Sequence, residues 1–175
     1  MDAIEGLQEV LVPPSSGGIN VRWEDMVAAY GNGFPFDYMK FMSLYGIGEI
    51  EGMLAIFAPM ASPDPFVRRA ARLPEEVLAL PEVNEWVDPR HAAIFNLADM
   101  MVWGDTTEAD VLCWITKDED PNKWPVAVYS HRGEWSVHDF GMSDFLLRLL
   151  KGEFERNPTS LSSLFGRGEA KYIRG

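Results

Sequence analysis

Three glycines within seven residues, in the stretch SLYGIGEIEG at residues 43–52, raise the question of a phosphate-binding loop. A dinucleotide loop has the spacing Gly-x-Gly-x-x-Gly and leads from a strand into a helix. Here the spacing is Gly46-x-Gly48-x-x-x-Gly52, and the pattern predicts a helix before the glycines and a strand after them. The helix dipole is negative at that end and two glutamates add like charge, so we predict no nucleotide cofactor.

The histidines and an acidic loop are the candidate metal ligands. His91, His131 and His138 form no His-x-x-x-His pair, and we expect the last two to be surface groups. The loop DEDPN at residues 118–122 places oxygen ligands at the first, third and fifth positions of a calcium loop. Lys123 occupies the position where the turn requires glycine, so we predict a solvated loop and no metal.

Nucleophilic catalysis has little support in the sequence. The chain has no Gly-x-Ser-x-Gly motif, and its single cysteine, Cys113, lies in the apolar run DVLCWIT, where it is expected to be buried. We therefore predict that the protein is not an enzyme, although a site assembled from distant residues stays open. One cysteine also allows no intramolecular disulfide, which fits a reducing compartment.

The N-terminal part of the chain predicts helices followed by a strand pair. A weak element at residues 4–12 precedes a helix that Asn20 is expected to cap and Gly31 to end. Apolar residues then recur at i, i+3, i+4 and i+7, which predicts a helix ended by Gly46. That helical face comprises Tyr38, Phe41, Met42 and Tyr45. The run EIEGMLAIFAP predicts a strand pair or one broken strand, and prolines then favour two short helices, at residues 66–72 and 75–80.

The C-terminal part predicts a sheet and a final helix. The runs MMVWGDT, DVLCWIT, WPVAVYS and EWSVHDF predict an antiparallel meander, with Gly133 in the last turn. SDFLLRLLKG predicts a helix capped by Ser143 and ended by Gly152, after which the chain is expected to form one turn and fray. We predict a single α+β domain with a central, largely antiparallel sheet flanked by helices. The predicted parts are an N-terminal segment at 1–20, the domain at 21–156 and a tail at 157–175.

The charge of the chain limits the classes of partner that it is expected to bind. The formal net charge is -12, and only residues 166–175 are basic, with three bases and one acid. Direct nucleic-acid binding needs a basic surface and is not expected. An acidic surface favours a basic protein partner, and solubility alone is the alternative explanation. The absence of a signal-like start and of a long apolar run predicts a cytoplasmic protein with no membrane association.

Four tryptophans recur every ten or eleven residues, at positions 103, 114, 124 and 135. Most are expected in the core, because a buried indole contributes a large apolar area. Trp124 adjoins Pro125 and follows the acidic loop, so an interface anchor is the alternative for this residue.

The runs FPFDYMKFMSLYGIGEIEGMLAIFAP and WGDTTEADVLCWITKDEDPNKWPVAVYS, followed by SDFLLRLLKG, resemble the SUKH superfamily of Smi/Knr-type proteins over residues 23–152. The resemblance implies an α+β fold, no catalytic residues, and an immunity function in which a toxin domain, often a nuclease, is bound and neutralised. Fungal relatives imply the alternative of a regulatory or scaffolding module. The signature positions that the resemblance marks as structural are Gly46, Gly48, Trp103, Trp114 and Trp124.

The predicted function is therefore a non-catalytic immunity protein, a monomer or weak dimer without a cofactor. A nuclease toxin must be basic to hold nucleic acid, so an acidic inhibitor suits it. The candidate contacts lie in the turns around DVLCWIT, where the acids are expected to form one patch. They are Asp105, Glu108, Asp118, Glu119, Asp120 and Trp124.

Overall fold

A computed structural model describes residues 2–61 and 69–175 of the protein. The α-helices of these residues are α1 (Ala3–Val10), α2 (Trp23–Tyr30), α3 (Phe36–Leu44), α4 (Glu75–Leu78), α5 (His91–Ile94) and α6 (Met142–Lys151). The strands are β1 (Leu11–Val12), β2 (Gly48–Ile50), β3 (Leu54–Ile56), β4 (Ala71–Arg72), β5 (Met100–Thr106), β6 (Val111–Ile115), β7 (Val126–Ser130), β8 (Glu134–His138) and β9 (Ala170–Arg174). Among the described residues, no helix has the length and apolarity needed to cross a bilayer.

The nine strands form one sheet in the order β1-β9-β2-β3-β5-β6-β7-β8, and β4 pairs with β5 on the side that β3 occupies. Every pairing is antiparallel except that of β1 with β9. The predicted α+β class, the strand pair and the four-stranded meander are confirmed. The sheet is larger than predicted, because short strands from both chain ends extend it.

The two faces of the sheet are covered differently. Alternate residues of a strand point to opposite faces. Leu112 and its neighbour Val128 pack with α1, α3 and α6 in the main core. Cys113 and its neighbour Ala127 point the other way, into a smaller core with Leu73, Val83 and Leu97. Leu73 and Val83 belong to the proline-rich segment, in which the sequence predicted only short helices. This segment therefore covers part of the second face of the sheet.

The helix ends show where local rules fail. Gly31 and Gly152 end their helices as predicted, each in the left-handed conformation with φ of 74° and 70°. Asn20 does not cap α2, because the residue before its first turn is Arg22, without a side-chain cap. Ser143 does not cap α6 either, because it lies inside the helix. Its backbone N–H instead donates to Asp37 Oδ2 at 2.9 Å, so the acceptor comes from α3.

The proline-rich segment matches its prediction in part. The predicted helix at 75–80 is confirmed as α4, which ends at Leu78. The predicted helix at 66–72 is wrong at its end, because Ala71 and Arg72 form β4 and pair with Val102 and Met101. Its start, at residues 66–68, lies outside the described residues.

The predicted fraying of the C-terminal tail is wrong. Residues 170–174 form β9, which pairs with β1 on one side and with β2 on the other. Tyr172 is buried, and its hydroxyl donates to the backbone oxygen of Gly46 at 2.7 Å. A Cβ at Gly48 would lie 2.5 Å from the backbone oxygen of Ile173. The glycine-rich stretch is therefore where the C-terminal strand docks, and Gly46, with φ of 71°, ends α3 as predicted.

Candidate protein-binding surface

Trp124 belongs to the core and not to the surface. Its side chain is 3% exposed, and its ring centroid lies 6.1 Å from that of Trp114. Its indole N–H donates to the backbone oxygen of Asp118 at 2.7 Å. The alternative of an interface anchor is therefore wrong for the free protein, because the ring is covered. The indole instead fixes the start of the acidic loop.

The predicted acidic residues do not form one patch. Asp105 is half-buried near the end of β5, and Glu108 is exposed in the turn before β6. The exposed residues 118–120 follow β6, at its other end. Since β6 has five residues, it separates the two groups by about 15 Å. The structure thus divides the candidates into a turn group and a loop group.

The loop group is held in one conformation by its own side chains. Asp118 Oδ1 accepts from the backbone N–H of Asp120 at 2.9 Å. Asp120 Oδ1 accepts from the backbone N–H of Asn122 at 3.0 Å, which caps the 3₁₀ turn at Pro121–Lys123. Asn122 Oδ1 in turn accepts from the backbone N–H of Phe36 at 2.8 Å, so the loop is tied to the start of α3. Within the described residues, no group of three or more metal-ligating side chains could hold an ion.

Phe36 is the exposed aromatic residue beside this loop. Its side chain is 70% exposed, whereas Tyr38, two residues further along α3, is fully buried. A depression of about 320 Å³ adjoins it, and five of its nine lining residues are polar or charged. These include Asp2, Asp37, Lys40, Asn122 and Asp144. An exposed apolar ring among carboxylates is the composition expected of an anchor for a basic protein partner.

The residues of this region are named here the Phe36 surface: Asp2, Phe36, Asp118, Glu119, Asp120 and Asp144. Sequence reasoning missed Phe36, although its spacing carried a signal. Phe36 lies off the apolar helical face formed by Tyr38, Phe41 and their i+3 and i+4 neighbours. A large apolar residue outside that face must point to solvent or to a partner.

One carboxyl in the depression has a shifted pKa. Burial raises the pKa of Asp37, and hydrogen bonds from Ser143 and neighbouring backbone groups oppose the shift. The same carboxylate accepts from the N–H at the start of α6. A raised pKa can mark a catalytic acid, but here burial at a helix cap explains it.

A second cleft, of about 280 Å³, lies beside β8. His138 Nε2 is 2.9 Å from Ser136 Oγ, a contact of the kind found in catalytic pairs. The charged groups around them pair with one another: Arg156 Nη2 lies 3.2 Å from Glu134 Oε1. Arg132 donates to Ser130 Oγ at 3.2 Å and to a backbone oxygen at 3.1 Å. The ion pair and these hydrogen bonds explain the arrangement of the cleft residues without a catalytic role.

His138 is not the surface group that the sequence predicted, whereas His131 is exposed. The His138 ring packs against Phe140, Phe145 and Phe154, with centroids 5.3–5.9 Å away. Burial, and to a smaller extent His91, lowers the pKa of His138 to about 4. The side chain is therefore neutral at pH 7.

The His138 pKa predicts acid sensitivity. An unfolded histidine takes up a proton near pH 6.5, while the folded one resists until about pH 4, so stability falls as pH drops through this window. The free energy of unfolding should lose about 2 kcal/mol between pH 7 and pH 5 through this residue. Urea denaturation of His138→Gln should show a smaller pH dependence by that amount. The exposed control His131→Gln should keep the wild-type dependence, and equal dependence in both variants would contradict the assignment.

The signature positions all have structural roles. Gly46 and Gly48 receive the C-terminal strand, and Trp103, Trp114 and Trp124 are buried.

Comparison with protein-family models, curated proteins and solved structures gave no match. The SUKH resemblance therefore rests on the sequence motifs of residues 23–152 and stays a prediction.

Proposed function

We propose that the protein is a non-catalytic immunity protein that binds and neutralises a basic, nuclease-type toxin domain through the Phe36 surface. The observation that carries this proposal is the exposed ring of Phe36 beside an acidic loop that hydrogen bonds hold in place. The protein acts inside the cell as a monomer or weak dimer, and it needs no cofactor.

Charge and rigidity both support this function. The net charge of -12 attracts a basic domain over a distance, and carboxylates around the contact speed productive encounter. The loop at residues 118–120 is ordered before binding, because its hydrogen bonds to Asn122 and onward to Phe36 exist in the free protein. A preformed surface loses less conformational entropy on association, which favours tight binding.

Removal of charge from the loop tests the proposal without disturbing its backbone. The triple variant Asp118→Asn, Glu119→Gln, Asp120→Asn keeps one acceptor oxygen in each side chain but removes three charges. Association with the toxin domain encoded beside the gene should slow about tenfold and become less dependent on salt, because long-range attraction is reduced. Stopped-flow kinetics at several salt concentrations measures both effects.

The matched control removes three exposed charges elsewhere, in the variant Glu9→Gln, Glu24→Gln, Glu153→Gln. Both variants have the same net charge, so a difference between them reports the position of the charges. Equal association rates would exclude the acidic loop from the binding surface.

A further inference from the structure

The cleft of about 280 Å³ beside β8 is walled by three separate parts of the chain. These are the β7–β8 hairpin at residues 130–138, the segment 87–91 and the segment 154–158, and together they define what we call the β8 cleft. Ligand pockets span about 300–1,000 Å³, so a cleft of this size suits a small ligand. Its apolar wall consists of Val87, Val137, Phe154 and Pro158.

The backbone of Val137 offers hydrogen-bonding groups to the β8 cleft. The N–H of Trp135 donates to the backbone oxygen of Glu85, and the N–H of Val87 donates to that of Trp135, both at 2.8 Å. Trp135 therefore directs its backbone groups away from β7. Alternate residues of an antiparallel strand share this direction, so Val137 directs its N–H and C=O the same way. No hydrogen bond joins these two groups to another residue in the described part of the chain.

Five charged side chains line the β8 cleft, and three of them are in ion pairs. Arg156 Nη2 lies 3.2 Å from Glu134 Oε1, so these two lining residues neutralise each other. Asp88 Oδ2 lies 2.7 Å from Nη2 of Arg90, a residue outside the lining. One cation and one carboxylate of the lining are left without an ion pair to any residue that the structure describes.

The unpaired cation is Arg132, and the unpaired carboxylate is Glu155. Neutral acceptors hold the guanidinium of Arg132 in place, since it donates to Ser130 Oγ at 3.2 Å and to the backbone oxygen of Asn157 at 3.1 Å. Its position is thereby fixed while its charge is not neutralised. Glu155 lies two residues before Asn157, so the two opposite charges belong to neighbouring parts of the cleft wall. Both side chains are exposed and therefore accessible to a ligand from solvent.

We propose that the β8 cleft binds a small zwitterion with an apolar side chain, that is, a free α-amino acid of the size of phenylalanine. Its carboxylate accepts hydrogen bonds from Arg132, its ammonium group donates to Glu155, and its side chain packs on the apolar wall. The N–H and C=O of Val137 supply a further donor and acceptor. A ligand with only one of the two charges would leave Arg132 or Glu155 unpaired. The β8 cleft shares no residue with the Phe36 surface, so this inference goes beyond the proposed function.

Three related ligands test which charges the β8 cleft requires. L-phenylalanine carries both charges, phenylpropanoate lacks the ammonium group, and phenylethylamine lacks the carboxylate. In backbone ¹H–¹⁵N spectra of the full-length protein, L-phenylalanine should cause saturable shifts at residues 136–138 and 154–157, with a Kd of about 0.1–1 mM. Each of the other two ligands should bind about fivefold more weakly, because it forms one charge pair fewer.

Two variants assign each charge of the ligand to one side chain. Arg132→Gln should weaken L-phenylalanine and phenylpropanoate about fivefold and leave phenylethylamine unchanged. Glu155→Gln should weaken L-phenylalanine and phenylethylamine by a similar factor and leave phenylpropanoate unchanged. Glu24→Gln removes an exposed carboxylate outside the cleft and should bind all three ligands like the wild type.

The inference is overturned if L-phenylalanine causes no saturable shifts at these residues at about 20-fold the expected Kd, or if all three ligands bind equally. Equal weakening of all three ligands in both variants would also overturn it, because the charges would then act on the shape of the cleft alone. Phe36→Ala should bind L-phenylalanine like the wild type. A protein that binds the toxin domain but not L-phenylalanine would retain the proposed function and lose this site, and the reverse result would retain only the site.

Discussion

Phe36→Ala is expected to weaken binding of the toxin domain by about 30- to 100-fold while leaving the thermal stability unchanged. Truncation of a central aromatic anchor costs about 2–3 kcal/mol of binding free energy. The side chain is 70% exposed in the free protein, so its loss removes little packing from the core. Calorimetric titration gives the affinity, and a thermal melt of the free variant gives its stability.

Val12→Ala is the matched control for this prediction, because Val12 is also 70% exposed. Val12 lies on β1, at the edge of the sheet away from the acidic loop. The control variant should bind like the wild type. Equal affinity in the Phe36 and Val12 variants would show that the toxin domain binds elsewhere.

Asp110→Ala is expected to destabilise the protein by about 3–5 kcal/mol. Asp110 is fully buried, and its carboxylate accepts four hydrogen bonds. Oδ2 accepts from the hydroxyl of Thr106 and the backbone N–H of Ser160, both at 2.8 Å. Oδ1 accepts from the backbone N–H of His131 at 2.9 Å and from the hydroxyl of Ser160 at 2.8 Å. Removal of the carboxylate leaves these donors without their acceptor in a buried site.

The size of this effect follows from what Asp110 connects. Its partners belong to the end of β5, the β7–β8 turn and the chain after α6, so one side chain joins three segments. Urea denaturation gives the free energy of unfolding, and Asp139→Ala, at an exposed position, is the control. A loss below about 1 kcal/mol for Asp110→Ala would mean that water replaces the carboxylate.

The sequence predicted the elements whose signals are local. Alternation and helical spacing located the meander, α3 and α6, and left-handed glycines marked helix ends at Gly31 and Gly152. The sequence-based prediction failed where a residue distant in the sequence determines the local structure. The cap of α6 comes from Asp37, and the short run AKYIR becomes a strand because it finds pairing partners in β1 and β2. Such pairings depend on the tertiary structure and leave no periodic pattern.

The candidate site was predictable in the same partial way. Composition and turn residues placed residues 118–120 in an exposed acidic loop, as the structure shows. The prediction that these residues form one patch with Asp105 and Glu108 is wrong, because the two groups lie at opposite ends of β6. The prediction of Trp124 as an anchor is wrong, because the fold covers its ring. Phe36 is an exposed aromatic residue, and in the sequence only its position off the helical face distinguished it.

The central claim is that the protein neutralises a toxin domain by stoichiometric binding. The most direct measurement is a titration of the nuclease activity of that purified domain with the purified protein. Activity should fall linearly and reach zero at a molar ratio of one to one, with Phe36→Ala shifting the titration to higher concentrations. Undiminished nuclease activity at a large excess of the protein would contradict the account, and complete loss at a small fraction of one equivalent would show catalysis instead of binding.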